Sequence, residues 1–344
     1  MHLRNSFLSR IKRKFLHLLR LTARPHIRLY NGYGNHERCV IFGHLLSFGP
    51  IPRKRYRRNF FTNTFALLRL FMVRPMKNET VCMEWEGKTY STVTSTDGFF
   101  KFEWKLVRPL EAGWHTIVAS WKNKRGQVVK GEAEVCIPHN NQYCFISDID
   151  DTFLISHSSN LRKRLFVLLT ENARSRKPFN SVAQHYSLLA RAAAPNGKPN
   201  PFYYVSSSEW NLLDYIREFC ATNDLPKGVF LLNQIKTFRQ VFKTGQNNHN
   251  GKFTRIARIM EAFPDESFVL LGDDTQQDPF IYSSIVGHFE GKIHAVYLRK
   301  VHASPHPDVK VKVEEMQKAG VHVCYFRHSI DAIKHSREIG LITS

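Results

Sequence analysis

Two aspartates that directly follow an apolar run could carry out the chemistry of phosphate-ester cleavage. The run 145–147 leads into Asp148 and Asp150, which are two positions apart, and Thr152 follows them. An ionised carboxylate can attack phosphorus and form a covalent aspartyl phosphate that water later removes. A second carboxyl group can protonate the departing alkoxide and then deprotonate that water. The pair therefore indicates a phosphoryl-transfer enzyme.

Polar residues after two later apolar segments could extend this site. The segment FYYVS ends at Ser206, whose hydroxyl can donate to a phosphate oxygen. The segment LLGDDTQQD supplies Asp273, Asp274 and Asp278, and a few carboxylates with phosphate and water commonly hold Mg²⁺. Such a cation would shield the negative nucleophile from the negative phosphate. These residues leave open whether Asp274 or Asp278 supports the metal.

A lysine between these segments could stabilise the phosphate during the reaction. Lys252 opens the predicted helix GKFTRIARIM. Its compact positive charge can reach a phosphate and stabilise the charge-rich transition state.

The residues after Pro138 alternate between strand and helix patterns. Strands are predicted at 143–147, 202–205, 268–271, 294–298 and 321–326. Helices are predicted near 161–173, 181–193, 209–222, 252–263, 311–319 and 329–338. This alternation indicates a parallel sheet with helices on both faces, in which the carboxyl ends of the strands form the site. The polar residues named above would therefore converge in space.

The segment before these strands has the period-two pattern of antiparallel strands. Val81, Met83 and Trp85 alternate with other residues, and turn signals such as Asp97-Gly98 separate the strands. The sequence predicts a sandwich-like β domain over 26–138, with a basic helical insertion near 53–74. It also predicts a basic amphipathic helix over 1–25 and a catalytic domain over 139–344.

The positive charge is concentrated near the N-terminus. Residues 1–77 contain 17 Lys or Arg and a single acidic residue, Glu37. The segment 3–24 has a Leu and Phe face at helical spacing, as expected of a membrane-interface anchor or of a terminal helix docked on the body. A second basic cluster, 53–58, precedes the apolar run 65–73. An anionic partner is predicted, and lipid headgroups, nucleic acid and an acidic substrate are the candidates.

Composition narrows the class of protein. A chain of 344 residues with 42% apolar residues can bury the cores of two globular domains. Its six scattered cysteines lack the spacing of a metal knuckle or a disulfide framework, which favours reduced thiols in a cytoplasmic protein. No run approaches the roughly 18 apolar residues of a membrane-spanning helix.

Several segments of the chain resemble a known family. FISDIDDT, YVSSS, Lys252 and GDDTQQD are similar to the four motifs of the haloacid dehalogenase superfamily. The longer strings DIDDTFLISHSSN, FYYVSSSEWNLLDYI, LPKGVFLL and FPDESFVLLGDDTQQDPFIY resemble the actin patch protein type of phosphatidate phosphatase, a relative of the lipins. The resemblance covers about residues 139–344. It departs from the family at Glu209, where proline is usual, which leaves the shape of the substrate entrance open.

The resemblance implies a role for each matching residue. Asp148 would be the nucleophile and a Mg²⁺ ligand, and Asp150 the general acid and base with its backbone carbonyl on the metal. Asp273 would be a further ligand, and Lys252 would balance charge. Thr152, Ser206 and Ser207 would position the nucleophile and the phosphate. Arg174, Arg176 and Arg299 could bind phosphate or anionic lipid, or form salt bridges within the domain.

The expected function is Mg²⁺-dependent hydrolysis of phosphatidate to diacylglycerol and phosphate, at the surface of a membrane. The segments between the motifs are too short for a large cap domain, so a bulky substrate could enter. One alternative is a phosphatase for a soluble or macromolecular phosphomonoester, with nucleic acid as the less favoured partner of the basic segment. Another is a non-catalytic adaptor that binds membranes or proteins.

Overall fold

The computed structural model describes residues 21–50, 68–139, 143–153, 178–194, 198–237, 249–275, 277–301 and 307–343. They form two β-sheets, with helices around the second one. The predicted helix 161–173 and the basic cluster 53–58 lie outside the described residues. Among the helices that are described, none combines the length and the apolar character needed to cross a bilayer.

The first sheet occupies the region predicted to be rich in β-strands. Its strands are β1 (Leu21–Thr22), β2 (His26–Gly34), β3 (Arg38–Pro50), β4 (Arg74–Pro75), β5 (Thr80–Trp85), β6 (Lys88–Val93), β7 (Phe99–Lys105), β8 (Gly113–Lys122) and β9 (Val128–Ile137). The main path is β1-β3-β2-β9-β8-β5-β6, and β4 and β7 also pair with β3. Alternating burial of Phe100, Phe102 and Trp104 along β7 follows the predicted period of two.

This domain differs from the predicted antiparallel sandwich in two ways. All the strands belong to one hydrogen-bonded sheet, which is mixed because β2 and β9 pair in parallel. The inner side chains of six strands share one core, which includes Ile41, Met83, Ile117 and Val135. A single curled sheet therefore encloses the core that was predicted to lie between two sheets.

The first described residues correct the end of the predicted N-terminal helix. Leu21 and Thr22 pair with Pro50 and Gly49 as an antiparallel strand, although the amphipathic pattern predicted a helix through 24. Pairing with β3 satisfies their backbone groups, and this long-range contact is not visible in a local periodicity. The rest of that predicted helix lies outside the described residues.

The second sheet is parallel throughout, as predicted. Its strands are β10 (Tyr143–Ser147), β11 (Phe202–Glu209), β12 (Gly228–Asn233), β13 (Ser267–Asp273), β14 (Ile293–Arg299) and β15 (His322–Phe326), in the order β12-β11-β10-β13-β14-β15. Ser147 is paired with Tyr204 on one side and with Leu271 on the other. The residues that follow β10, β11 and β13 therefore leave the sheet side by side.

The described residues of this region form six α-helices. They are α1 (Val182–Arg191), α2 (Leu213–Thr222), α3 (His249–Ala262), α4 (Asp278–His288), α5 (Asp308–Lys318) and α6 (Ser329–Glu338). Helices α3, α4 and α5 pack in succession, and α1 packs against α6. The sequence patterns predicted neither β12 nor α4. Helix α4 has apolar residues around its whole circumference because it lies between the sheet and two other helices, so it has no amphipathic period to detect.

The two domains are held together by aromatic and ionic contacts. The ring of Tyr30 stacks on that of Trp210 with centroids 4.0 Å apart. Arg28 donates to Asp214 across the same boundary at 2.7 Å. Tyr33 and Phe42 of the curled sheet belong to the hydrophobic core of the catalytic domain. The β domain is therefore packed closely beside the parallel sheet, near its β11–β12 edge.

One buried histidine should make the stability of this fold sensitive to pH. Burial, together with the nearby charges of Arg299 and His335, lowers the pKa of His185 from 6.5 to about 3. Its Nε2 lies 3.0 Å from the Ser336 hydroxyl. The unfolded chain binds a proton on this side chain near pH 6.5, whereas the folded chain resists protonation until about pH 3.

The free energy of unfolding should therefore fall as the pH drops from 6.5 towards 3, by up to about 1.4 kcal/mol per pH unit from this residue. Urea unfolding of wild type and His185→Gln between about pH 7 and about pH 4 measures the dependence. The variant should show the shallower pH slope. Parallel slopes for the two proteins would contradict the assignment to His185.

Candidate active site

The loop after β10 presents a buried aspartate to a buried lysine. The Asp148 amide donates to the Leu271 carbonyl at 2.8 Å, which extends the pairing of β10 with β13 into the loop. Lys252, one turn into α3, donates from Nζ to Asp148 Oδ1 at 2.7 Å. The Thr152 hydroxyl shares its single proton between Asp148 Oδ2, 3.3 Å from Oγ1, and Asp273 Oδ2, 3.2 Å from Oγ1. Both oxygens of Asp148 are therefore oriented by neighbouring side chains.

Three carboxylates from three different elements meet at this position. Asp148, Asp273 and Asp278 each offer an oxygen, and these oxygens lie within 4.8 Å of one another. All three residues are at most 1% exposed. Lys252 also donates to Asp278 Oδ1, but Oδ2 of Asp278 has no hydrogen-bond partner among the described residues. A buried carboxylate oxygen without a donor is well suited to bind a cation.

Glycine is required where Asp278 crosses the end of β13. A Cβ atom on Gly272 would lie 2.5 Å from Asp278 Oδ2 and 2.7 Å from a ring carbon of Tyr282. Tyr282 in turn donates its hydroxyl to the Leu271 carbonyl at 2.8 Å. The absence of a side chain at this glycine thus allows the first turn of α4 to approach the strand and to place its carboxylate beside Asp148.

The charges in this group do not balance without a cation. Burial, with repulsion from Asp278 and Asp150, raises the pKa of Asp148 to about 7 despite the attraction of Lys252. Burial and the neighbouring aspartates also raise the pKa of Asp273 well above its ordinary value. Burial opposes the charge of Lys252, but the paired carboxylates outweigh it and raise its pKa.

Three carboxylates thus face one ammonium, which leaves two negative charges when all are ionised. A divalent cation would neutralise them, and an all-oxygen donor set suits a hard ion of the Mg²⁺ type. The described residues therefore fit a divalent cation that is bound by oxygen ligands.

The second aspartate of the motif points to a different set of residues. Asp150 Oδ2 accepts hydrogen bonds from the Ser208 hydroxyl at 2.7 Å and from the Ser206 hydroxyl at 3.3 Å. The Ser208 amide donates to Ser206 Oγ at 2.9 Å, which fixes the first serine in turn. Asp150 is 8% exposed, and its carboxyl group does not belong to the group formed by Asp148, Asp273 and Asp278.

Ser208 was not predicted from the sequence. The predicted strand stopped at Val205, whereas β11 continues to Glu209, and side chains two apart on an extended strand point the same way. Had the strand been extended to residue 209, this alternation would have predicted that Ser206 and Ser208 point the same way. Ser207, which was predicted to bind substrate, is exposed and lies between them. The structure brings together Asp148, Asp150, Thr152, Ser206, Lys252, Asp273 and Asp278, whereas the Asp274 carboxylate lies outside this set.

Asp274 serves the structure of the loop after β13. It accepts a hydrogen bond from the Val301 amide at 2.8 Å and another from the Tyr325 hydroxyl at 2.7 Å. Both partners lie towards the β14–β15 edge of the sheet. Its carboxylate is not in the group formed by Asp148, Asp273 and Asp278. Of the two candidates that the sequence left open, the geometry favours Asp278.

Arg299 supports the loop after β10 through a hydrogen bond to its backbone. Its guanidinium donates to the Thr152 carbonyl and to the Ser329 hydroxyl, each at 2.8 Å. The same group lies 4.3 Å from the ring centroid of Phe179, and the residue is 2% exposed. It therefore binds the protein and does not offer its charge to a phosphate or a lipid. Arg174 and Arg176 lie outside the described residues.

The choice between Asp278 and Asp274 can be tested by cation binding. Asp278→Asn should weaken the binding of Mg²⁺ at least about tenfold, because a charged ligand is lost. Asp274→Asn is the matched control and should change the affinity little, although the hydrogen bonds to Val301 and Tyr325 are weakened. Calorimetric titration of Mg²⁺ into the three proteins measures both effects. An equal loss in the two variants would contradict this arrangement.

Comparison with known proteins finds a family model that matches part of the catalytic domain. Residues 143–300 match the family model described as the catalytic domain of phosphatidate phosphatase APP1. Phosphatidate phosphatase APP1 of Saccharomyces cerevisiae is 27% identical over 154 residues, which is 45% of this chain and 25% of the yeast protein. The match thus spans about a quarter of the length of that relative. The predicted resemblance is confirmed over these residues, and the matched family is one of phosphoric monoester hydrolases, as predicted.

Solved structures provide only weak similarities to the whole chain. A carbohydrate acetylesterase from Xanthomonas citri superposes over 92% of this chain and 75% of its own, with 8% identity and a TM-score of 0.31. The PilB minor pilin of Streptococcus sanguinis covers 78% of this chain and 89% of its own, with 9% identity and a TM-score of 0.31. Scores this low support no conclusion about fold or function.

Proposed function

We propose that this protein hydrolyses phosphatidate to diacylglycerol and phosphate, because residues 143–300 match the catalytic-domain model of phosphatidate phosphatase APP1. The observation that supports it most is the buried group of Asp148, Asp273, Asp278 and Lys252 beside the serine-bound Asp150. The order of these residues along a parallel sheet supports a place in the haloacid dehalogenase superfamily. Asp148, Asp273 and Asp278 would hold a Mg²⁺ ion, which when bound would neutralise negative charge around the phosphate.

In the first step, a carboxylate oxygen of Asp148 forms a bond to phosphorus. The bond from phosphorus to the glycerol oxygen breaks, and the departing oxygen takes the proton of the Asp150 carboxyl group. Thr152 and Lys252 orient the attacking carboxylate through the hydrogen bonds already described. The products of this step are diacylglycerol and an aspartyl phosphate on Asp148.

In the second step, the aspartyl phosphate is hydrolysed. The Asp150 carboxylate removes a proton from a water molecule, whose oxygen bonds to phosphorus as the bond to Asp148 breaks. Inorganic phosphate leaves, and both aspartates return to their starting states. Ser206 and Ser208 keep Asp150 in one position for both proton transfers.

A substrate panel tests this function. Phosphate release should require Mg²⁺, and kcat/KM for phosphatidate in mixed micelles should exceed that for soluble monophosphates at least about tenfold. The Asp148→Asn variant is the inactive control for phosphate release. Equal rates for lipid and soluble esters would favour a general phosphomonoesterase. If no substrate in the panel releases phosphate, the result would favour the alternative that the protein is a non-catalytic adaptor.

We also propose that the protein binds reversibly to anionic membranes. Residues 1–20 contain six Lys or Arg and no acidic residue, and apolar residues recur among them. Attraction to anionic lipid adds about 1 kcal/mol for each basic residue near the surface. Sedimentation with phosphatidylserine vesicles should therefore be weaker for a variant lacking residues 1–20 than for the full chain. Equal sedimentation would refute this role.

A further inference from the structure

A cavity of about 830 Å³ lies between the curled sheet and the catalytic domain. The β domain contributes Phe42 and Phe99 to its wall, and the catalytic domain contributes Trp210 and Ile235. The volume is in the range of pockets that hold small organic ligands, and an apolar wall with a few polar groups is typical of them. No reaction step described above uses this space.

Helix α3 contributes residues both to the cavity wall and to the catalytic group, whose own residues are not among those that line the cavity. Lys252 and Arg255 are three residues apart, so they lie on the same face of the helix. Lys252 reaches Asp148, and Arg255 donates from Nη2 to the Ser206 carbonyl at 3.2 Å. The hydroxyl of that same serine donates to Asp150. Arg255 therefore connects the cavity wall to the side of the site where the departing oxygen receives its proton.

Arg255 has no ionic partner among the residues that the structure describes. Its Nε is buried without a hydrogen-bond acceptor, and burial lowers the pKa of the guanidinium to about 10. A partly buried guanidinium with unused donors is costly unless an acceptor occupies the neighbouring space. Arg255 lines the cavity, so an acceptor there could accept from the guanidinium N–H groups other than the buried Nε.

The rim of the cavity carries an excess of positive charge. Lys77, Arg255 and Arg258 face a single acidic residue, Asp97. The Asp97 carboxylate already accepts from the Ser95 hydroxyl at 2.6 Å and from the Phe99 amide at 3.2 Å. A ligand with oxygen acceptors at one end and hydrocarbon beyond them matches this rim and the aromatic wall.

We infer that this cavity binds an ester group of a glycerolipid phosphate and the first methylene groups of its acyl chains, while the phosphate and the glycerol oxygen bonded to it lie at Asp148 and Asp150. An ester carbonyl would accept from Arg255, and the methylene groups would pack on Phe42, Phe99 and Trp210. This inference rests on the proposed function. The cavity would be the part of the protein that distinguishes an acylated phosphate from a free sugar phosphate or glycerol phosphate.

Two substrates that differ only in the acyl groups test the inference. They are dioctanoyl phosphatidate and glycerol 3-phosphate, and the quantity compared is the ratio of their kcat/KM values. Thr96 is an exposed cavity residue in the turn before β7, so Thr96→Trp would fill the space. Arg255→Gln removes the donor. Thr89→Trp and Arg337→Gln are matched controls at exposed positions on β6 and α6 that do not line the cavity.

Both cavity variants should reduce the ratio of kcat/KM for phosphatidate over glycerol 3-phosphate by about tenfold, and the controls should leave it unchanged. If wild type prefers phosphatidate but both cavity variants keep its ratio, the inference is wrong and the proposed function stands. If wild type shows no preference for phosphatidate, the proposed function itself fails. Thermal unfolding confirms the fold of each variant, and Arg255→Gln decides the matter if Thr96→Trp does not fold.

Discussion

Asp148→Asn should reduce phosphate release from phosphatidate by about 10⁴-fold or more, because an amide oxygen cannot replace the attacking carboxylate. The loss should appear in kcat, since the residue acts on the reacting phosphorus. Steady-state phosphate release at saturating Mg²⁺ measures it. Asp274→Asn is the control and should retain most of the rate, because that carboxylate accepts hydrogen bonds from Val301 and Tyr325 outside the acidic group.

The Asp148→Asn variant should remain folded. Its loss of activity would therefore be a defect of the chemistry and not of the structure. The introduced amide is uncharged, so it would relieve the repulsion that raises the pKa of Asp148 and Asp273 in the wild type. Lys252 would keep its bond to Asp278. In the absence of divalent cations, the melting temperature of Asp148→Asn should therefore equal or exceed that of wild type. A folded variant with wild-type turnover would rule out this aspartate as nucleophile.

Lys252→Gln should destabilise the protein by about 3–5 kcal/mol in the absence of divalent cations, because it leaves buried carboxylates without their cation. Lys252 is 3% exposed and bonds to both Asp148 and Asp278. Removing one partner of a buried ion pair exposes the full desolvation cost of the other. Activity should also fall, because the same ammonium orients the Asp148 carboxylate.

Added Mg²⁺ should offset part of this loss of stability, because it neutralises the same carboxylates. Urea unfolding in EDTA and in Mg²⁺ measures the difference, and Lys318→Gln, at an exposed position on α5, is the control. The double variant Asp148→Asn/Lys252→Gln should recover some stability over Lys252→Gln alone, since it contains one unpaired charge fewer. Equal stability of Lys252→Gln and wild type in EDTA would contradict the ion-pair network.

Much of the catalytic domain could be predicted because the signals are local. The strand 143–147 was predicted with the bounds that the structure shows because it is a short apolar run, and α6 was predicted correctly because its buried residues follow the helical period. Strand β12 and helix α4 were missed, the latter because it is buried on several sides and lacks an apolar stripe. The curled sheet was predicted as a sandwich because strand patterns do not specify which edges join.

The sequence by itself specifies the order of the site residues, which are Asp148, Asp150, Ser206, Lys252 and the later aspartates. A parallel sheet must bring the ends of its central strands together. That much, with the class of chemistry, follows from residue types and spacing. The direction of each side chain does not. Asp278 rather than Asp274 joins the acidic group because Gly272 lets α4 approach β13, and Ser208 joins Asp150 because β11 continues beyond Val205. These outcomes depend on packing between elements distant in sequence, as does the cavity between the two domains, so only the tertiary structure could decide them.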